Sequence, residues 1–291
     1  MLVCLDISNL VARHHHAPRA EPITDPEGRS VAGAVGALDQ AAKLIRKLSP
    51  SHLLVARDGT RANEGRRTID ASYKAHRPPP DESRVANLHL TFAALELLRW
   101  PVREVDRWEA DDVIASVCAA YRGRVLIVSG DRDMLALCSD RVRVRLLRAG
   151  GAHLTCGPAE CRQVLGVHPH QVRDLRAMAG DRSDGIPGVP GVGPKSALTA
   201  LAACGTLAEV YRRLDANEPI DELKPNVVAK LQAGREQART SWRLAGLNDE
   251  LRVDIDALEA AAALRFAAVE EPLRALGLGA LFPRTMSSMT R

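Results

Sequence analysis

Residues 125–133 read VLIVSGDRD, in which four apolar residues are followed by Ser-Gly and two aspartates. A short apolar run of this kind indicates a strand that is buried on both faces of a parallel sheet. Residues 2–6 (LVCLD) and 52–58 (HLLVARD) repeat the arrangement, since each apolar run leads to an aspartate. The carboxyl ends of parallel strands lie along one edge of an open sheet, where ligands bind. These stretches therefore predict a sheet and a site at its edge.

Helix-like segments separate the strand-like runs. Apolar residues recur at helical spacing over about Val31–Leu48, Val85–Leu98 and Glu109–Tyr121, and Val102–Val105 is a further candidate strand. This alternation predicts an α/β domain over residues 1–165, with a parallel sheet flanked by helices.

The rest of the chain has no clear strands. Between residues 166 and 250, short helical patterns alternate with turns rich in glycine and proline, which predicts a helical second module. Residues 251–291 keep helical apolar spacing from Ala257 to Leu278. We expect them to form C-terminal helices that pack back on the first domain.

Composition narrows the class of protein. The chain has 291 residues, of which 46% are hydrophobic, but no apolar run reaches the roughly 20 residues that span a bilayer. Met1 leads directly into the first strand without the basic start of a signal peptide, so we expect a cytoplasmic, non-membrane protein. The six scattered cysteines are interpreted as reduced structural residues.

Net charge is only +4, which does not identify a nucleic-acid binder. Its distribution is more informative, because Arg57–Arg77 holds six basic residues against three acidic ones. A solvated loop is the alternative interpretation of this segment.

Acidic residues occupy the positions where the predicted strands end or the following helix begins. They are Asp6, Asp58, Glu109, Asp111, Asp112, Asp131 and Asp133. Each alone could be a turn residue, a helix cap or a match to the helix dipole. Together they would meet at one edge of the sheet, where carboxylates repel one another unless cations neutralise them. Oxygen ligands select Mg²⁺ or Mn²⁺, and two such ions can promote phosphodiester hydrolysis.

A second signal lies in residues 180–197, GDRSDGIPGVPGVGPKSA. Gly188–Ala197 is typical of a helix-hairpin-helix, whose backbone amides face a phosphate at the start of the next helix. Lys195 would add a positive charge there. Such a hairpin holds the DNA backbone without reading sequence. A plain Gly-Pro turn between helices is the alternative.

From about Met1 to Leu278 the chain resembles the 5′-nuclease superfamily, which includes the 5′–3′ exonuclease domain of bacterial DNA polymerase I and flap endonucleases. The motifs that carry the resemblance are the Asp6 strand, Tyr73–Arg77 (YKAHR), Glu109–Ile114 (EADDVI), Ser129–Met134 (SGDRDM) and Gly180–Ala197. The resemblance implies a PIN-like α/β domain with a helical arch at about residues 57–90, plus a helix-three-turn-helix module at 166–250.

The resemblance also implies roles for single residues. The first metal group would be Asp6, Asp58, Glu109, Asp111 and Asp112, and the second Asp131, Asp133, Asp181 and Asp184. Lys74, Arg77 and Asp131 would be catalytic. The DNA-binding residues would be Arg13, Arg66, Tyr73, Lys74, Arg77, Gly188, Gly191, Gly193 and Lys195. A potassium ion would bind near Ser183, Ile186 and Val189.

Two features depart from the family pattern. Arg57 stands where relatives usually have Phe before the second aspartate, and the Phe-Arg pair that follows is absent, so Arg66 or Arg67 would replace its arginine. The chain ends without polymerase or proofreading domains, so we expect a stand-alone nuclease.

The expected function is a structure-specific 5′–3′ exonuclease or flap endonuclease that uses two or more metal ions in replication and repair. Its partners would be DNA with 5′ flaps, nicked or gapped duplex and RNA primers on DNA, and the protein would be a monomer. A PIN-type ribonuclease and a catalytically inactive, structure-specific DNA-binding protein are the alternatives. The predicted hairpin argues against the first, and the complete set of nine acids argues against the second.

Overall fold

The computed structural model describes residues 1–18, 20–258 and 269–281. The sheet consists of β1 (Leu2–Asp6), β2 (His52–Ala56), β3 (Val102–Arg103), β4 (Val125–Ser129), β5 (Val142–Leu147) and β6 (His153–Cys156). The helices are α1 (Ile7–His16), α2 (Ala32–Leu48), α3 (Glu64–Arg67), α4 (Glu82–Leu97), α5 (Ala110–Ala120), α6 (Pro158–Leu165), α7 (Val172–Ala179), α8 (Pro194–Cys204), α9 (Leu207–Asp215), α10 (Pro225–Ala233), α11 (Arg235–Ala245) and α12 (Glu270–Ala275).

The six strands lie in the order β3-β2-β1-β4-β5-β6. All neighbours pair in parallel except β5 and β6, which form an antiparallel hairpin at the edge. The predicted sheet flanked by helices is thereby confirmed. The β5–β6 hairpin was not predicted, although Val142–Leu147 has the alternation of apolar residues and arginines that is typical of a strand with one face toward solvent.

Strand β1 shows why the apolar run is continuous. Leu2 and Cys4 face the core layer that contains α5, whereas Val3 and Leu5 face the layer formed by α1, α2 and α4. Both faces are covered by helices, so every second residue on either side must be apolar. The layer beneath α5 continues into residues of α7 to α11, so the helical module shares a core with the sheet.

Chain order reverses at β1, whose neighbours β2 and β4 lead away in opposite directions. The crevice at such a point, beyond the carboxyl ends of the strands, is where an open α/β sheet binds its ligand. Asp6 ends β1 and Asp131 follows β4, so the two aspartates lie at this crevice.

The segment predicted as an arch, residues 57–90, consists of turns, the short helix α3 and the first half of α4. Residues 259–268 and 282–291 of the predicted C-terminal helices lie outside the described residues. Of that region, α12 is described, and Leu273 and Leu278 pack against the layer that contains α2. In the described part of the chain, no helix is long and apolar enough to cross a membrane.

Candidate metal centre

The first carboxylate is held at the junction of β1 and α1. Asp6 caps α1 by accepting a hydrogen bond from the Asn9 amide at 3.1 Å. Its other oxygen accepts the Ser129 hydroxyl at 2.7 Å, and the Asp131 amide donates to the same hydroxyl oxygen at 3.0 Å. The hydroxyl of Ser129 therefore links the carboxyl ends of β1 and β4.

A second group lies at the start of α5. The Ala110 amide donates to Asp58 at 2.9 Å, which connects the residue after β2 to this helix. Glu109, Asp111 and Asp112 each offer a carboxylate oxygen, and these oxygens lie within 4.8 Å of one another. Helix α5 therefore presents a compact set of hard oxygen ligands, of the kind that suits Mg²⁺ or Mn²⁺.

The third group joins β4 to the helical module. The Asp133 amide donates to Asp131 at 2.8 Å. Arg176 of α7 contacts Asp133 at 2.8 Å and Asp181 at 3.0 Å, so one guanidinium bridges two carboxylates. The Ser183 hydroxyl then donates to Asp181 at 2.6 Å and to Asp184 at 3.4 Å.

Contacts from residues 73–77 close the arrangement. The Tyr73 hydroxyl lies 2.8 Å from Glu109 and 3.3 Å from Asp184. Lys74 forms ion pairs with the same two carboxylates, and Arg77 pairs with Asp184 at 2.7 Å. A chain of contacts therefore runs from Asp6 to Glu109, and Asp58, Asp111 and Asp112 lie with Glu109 at the start of α5. We call the nine predicted acids the carboxylate ring: Asp6, Asp58, Glu109, Asp111, Asp112, Asp131, Asp133, Asp181 and Asp184.

Crowding raises several pKa values in the ring. Burial, with repulsion from Asp58, raises the pKa of Asp6 to about 7. Burial and the neighbouring Asp131 raise the pKa of Asp133 to about 6, and burial with Asp112 raises that of Asp111. Burial also acts on Asp181, but the Ser183 hydroxyl and Arg176 outweigh it and lower its pKa. Bound cations would relieve this repulsion, so the donor set fits divalent metal.

Arg66, predicted to contact DNA, is placed differently. Its guanidinium is 4% exposed and pairs with Asp112 at 2.6 Å and Glu109 at 2.8 Å. It also donates to the carbonyls of Leu244 and Gly246. With these partners, Arg66 holds α3, α5 and the end of α11 together, which favours a structural role over contact with DNA.

Asp112 and Tyr73 are similarly enclosed. Asp112 is fully buried. Its two oxygens accept hydrogen bonds from Arg66, from the backbone amide of Glu109 at the N-cap of α5 and from the amide of Asn248. Tyr73 is 1% exposed, so its ring does not face solvent for base stacking in this conformation. Asp58 and Asp131, by contrast, are exposed at the mouth of the ring.

The predicted hairpin follows Asp184. Gly188 has φ +64, and a Cβ there would lie 2.4 Å from the Gly180 nitrogen, so only glycine fits. Gly191 also has positive φ, and Gly193 caps α8 with Pro194 as its first residue. Lys195 is exposed in the first turn of α8. The first-turn amides and this ammonium thus form a surface suited to a phosphate.

The three residues of the predicted potassium site already use their backbone groups. The Ser183 carbonyl accepts from Arg77 at 3.0 Å. The Ile186 carbonyl accepts from the Asp181 amide at 2.8 Å, and the Val189 carbonyl accepts from the Val192 amide at 3.0 Å.

Sequence reasoning missed Ser129 and Arg176. Ser129 could have been noticed, because it directly precedes the Gly-Asp pair at the end of β4. Arg176 gave no local signal, since a basic residue in the last turn of a helix is ordinary.

Comparison with known proteins agrees with this geometry. Residues 1–166 match the model of the 5′–3′ exonuclease N-terminal resolvase-like domain, and residues 167–266 match that of the 5′–3′ exonuclease C-terminal SAM fold. The thermostable DNA polymerase I of Thermus thermophilus is 32% identical over 254 residues, which make up 85% of this chain and 29% of the polymerase. The chain thus spans less than a third of the length of such curated relatives.

Two solved structures share the fold. One is the bacteriophage T5 5′-exonuclease with bound zinc, with a TM-score of 0.68, 20% identity, and coverage of 98% of this chain and 99% of that one. The other is the T5 D15 flap endonuclease in a pseudo-enzyme-product complex with DNA and metal ions, with a TM-score of 0.64, 19% identity and the same coverage of both chains.

Proposed function

This chain belongs to the 5′–3′ exonuclease family, and on that premise we propose that it is a divalent-metal-dependent 5′-nuclease. It would hydrolyse phosphodiester bonds of DNA near junctions of single strand and duplex. The observation that carries the proposal is the carboxylate ring, which gathers nine acids from five separate parts of the chain.

The ring would hold two or more Mg²⁺ or Mn²⁺ ions. When bound, such ions can activate a water molecule and stabilise the leaving oxygen of a phosphodiester. Asp58 and Asp131 face the mouth of the ring, where a phosphate can approach, and Asp6 lies between them. The enclosed Asp112 would hold Arg66 and Glu109 in position.

Lys74 and Arg77 would offset negative charge on the reacting phosphate. Both side chains already lie at the ring, because Lys74 contacts Glu109 and Asp184 and Arg77 contacts Asp184. Burial opposes the charge of Lys74, but Glu109 and Asp184 outweigh this effect and raise its pKa, so the side chain stays an ammonium ion. A fixed cation at a site of developing negative charge stabilises the transition state.

The hairpin around Gly188–Lys195 would hold the backbone of the downstream duplex. Its glycines and the exposed Lys195 at the start of α8 support this role, with a potassium ion near Ser183, Ile186 and Val189 as a further element of the proposal. The substrates would be 5′ flaps, nicked or gapped duplex and RNA primers on DNA. We further propose a monomeric, cytoplasmic protein.

Cleavage of defined substrates tests the proposal. A 5′ flap, a nicked duplex and a blunt 5′ end, each labelled, are incubated with Mg²⁺, with Mn²⁺ and with EDTA. We expect cutting near the junction only with metal, and a loss of about 10³-fold or more in Asp131→Asn and Asp181→Asn, since each removes a ligand from the ring.

Asp140→Asn is the matched control, because Asp140 is an exposed aspartate in the same β4–β5 connection but lies outside the ring. Cutting that persists in both ring variants would refute the mechanism. Binding of the flap without metal-dependent cutting by the wild type would favour the non-catalytic DNA-binding alternative.

A further inference from the structure

Beside the carboxylate ring lies a cavity of opposite charge. It has a volume of about 810 Å³, and three arginines, Arg13, Arg132 and Arg148, contribute to its lining. Gly130 is also part of the lining and directly precedes Asp131 of the ring. Among the described residues, no aspartate or glutamate lines this cavity.

The three arginines differ from the cations of the ring, since none of them pairs with a carboxylate of the described residues. Lys74, Arg77 and Arg176 all pair with ring carboxylates. Within the described ranges, by contrast, no ion pair joins any of the three cavity arginines to an acid. Arg132 and Arg148 are exposed, and Arg13 is half-buried. Like charges gathered in one concavity raise the local concentration of anions.

The cavity continues along α1. A second cavity of about 270 Å³ shares Arg13 and Arg148 with the first and adds His14 and His16, together with the turn around residues 149–152. The two cavities are therefore neighbours, and their linings together extend from Gly130, next to Asp131, to His16 of α1; we call this surface the arginine groove. An elongated groove of guanidinium groups fits successive phosphates better than a single small anion, because each planar guanidinium can bind a phosphate through two donors.

We propose that this arginine groove, defined by Arg13, Arg132 and Arg148, binds phosphate groups of the nucleic-acid strand next to the bond that is cut. The proposal rests on the proposed nuclease function and extends its DNA-binding surface to Arg132 and Arg148. Contacts of this kind position a strand without reading its sequence. The groove lies at the β4–β5 side of the ring, whereas Lys74 and Arg77 contact its Glu109–Asp184 side.

Salt dependence of DNA binding tests the groove without requiring catalysis. The full chain and the double variant Arg132→Gln/Arg148→Gln are titrated onto a fluorescent 5′-flap DNA in EDTA, and Kd is measured by anisotropy at several salt concentrations. Each lost phosphate contact lowers the slope of log Kd against log salt by about 0.7 to 0.9. We therefore expect the slope to fall by about 1 to 2.

The matched control is Arg122→Gln/Arg124→Gln, which removes two exposed arginines at the amino-terminal edge of β4, away from the ring. It should keep the wild-type slope, and so should Arg132→Lys/Arg148→Lys, which keeps the charge. A slope for the glutamine variant equal to that of the control would overturn the proposal. Circular dichroism establishes that each variant is folded.

Two forms of the flap DNA show which phosphate groups the groove binds. A loss of slope that is equal on flaps ending in 5′-phosphate and in 5′-hydroxyl assigns the groove to backbone phosphates, which is the expected result. A loss confined to 5′-phosphate ends assigns it to the terminal group. If the wild type binds the DNA but does not cut it with Mg²⁺ or Mn²⁺, the proposed function fails. The comparison of slopes still shows whether the arginine groove binds phosphate groups.

Discussion

The two halves of the carboxylate ring carry the same chemistry in different surroundings. The deep half (Glu109, Asp111, Asp112 and Asp184) is neutralised from within by Arg66, Lys74 and Arg77. The open half (Asp6, Asp58, Asp131, Asp133 and Asp181) has Arg176 as its basic partner, and the pKa values of Asp6 and Asp133 rise to about 7 and about 6. The pKa of Asp111 is also raised, so we infer that both halves gain from added cations, but that the deep half is already partly neutralised by three basic side chains.

Removal of Arg66 should break the deep half and have the largest effect on stability. Arg66→Ala leaves Asp112 buried without its counter-charge and removes one of the two cations that pair with Glu109. Loss of one partner from a buried ion pair costs about 3–5 kcal/mol of unfolding free energy. Urea denaturation measures this change, with Arg122→Ala as a control for the loss of an exposed arginine. A loss below about 1 kcal/mol would mean that the deep half is not held by Arg66.

The pH dependence of the metal-free protein tests the open half. The pKa of Asp6 in the folded chain, about 7, lies above its ordinary value of 3.8. Folding therefore favours the protonated form, so the contribution of Asp6 to stability is fully present below about pH 4 and is lost as the pH rises through about 7. The decrease attributable to Asp6 should be about 2–4 kcal/mol.

Thermal unfolding in EDTA between pH 5 and pH 8 measures this decrease. Asp6→Asn should remove most of it, while Asp140→Asn should leave it unchanged. Mg²⁺ or Mn²⁺ at about 100 times Kd should raise the free energy of unfolding by roughly 2.7 kcal/mol. The same metal concentration should stabilise the protein more at pH 8 than at pH 5, because protons compete with the metal for the carboxylate oxygens. Stability that rises with pH in EDTA would contradict this account of the open half.

The smallest effect on stability is expected at the rim of the deep half. Arg77 pairs with Asp184, but its side chain is 48% exposed. Exposed ion pairs contribute about 0–1 kcal/mol, so Arg77→Ala should change the unfolding free energy by less than about 1 kcal/mol. Cleavage of a 5′ flap should nevertheless decrease. Comparison of Arg77→Ala with Arg66→Ala in the same denaturation and cleavage assays separates the two roles, and equal destabilisation by both would remove the distinction.

Much of this site could be predicted from the sequence, because strand ends are local features. Asp6, Asp58 and Asp131 follow apolar runs, and topology brings the ends of parallel strands together. The partners of the acids could not be predicted in the same way. Arg66 meets Asp112 only after the chain has folded back through β3 and α5, and a basic turn residue looks the same whether it is buried or solvated.

The β5–β6 hairpin was missed for another reason. The predicted strands are continuous apolar runs. In β5, by contrast, Arg143 and Arg145 alternate with Val142, Val144 and Leu146. A strand with one face toward solvent carries polar residues on that face, and these conceal it from a search for strands that are buried on both faces.

The tight turn at Gly188 links two tasks mechanically. Asp181 and Ile186 exchange a pair of backbone hydrogen bonds at 2.8 Å, the Val189 amide donates to Met178 of α7, and the backbone of Gly188 lies directly against Gly180. Backbone hydrogen bonds thus connect the hairpin directly to the ring carboxylate Asp181 and to α7. In a nuclease that binds duplex DNA through this hairpin, these bonds would fix the distance between the bound duplex and the scissile bond. The position of the cut would then be measured from the duplex.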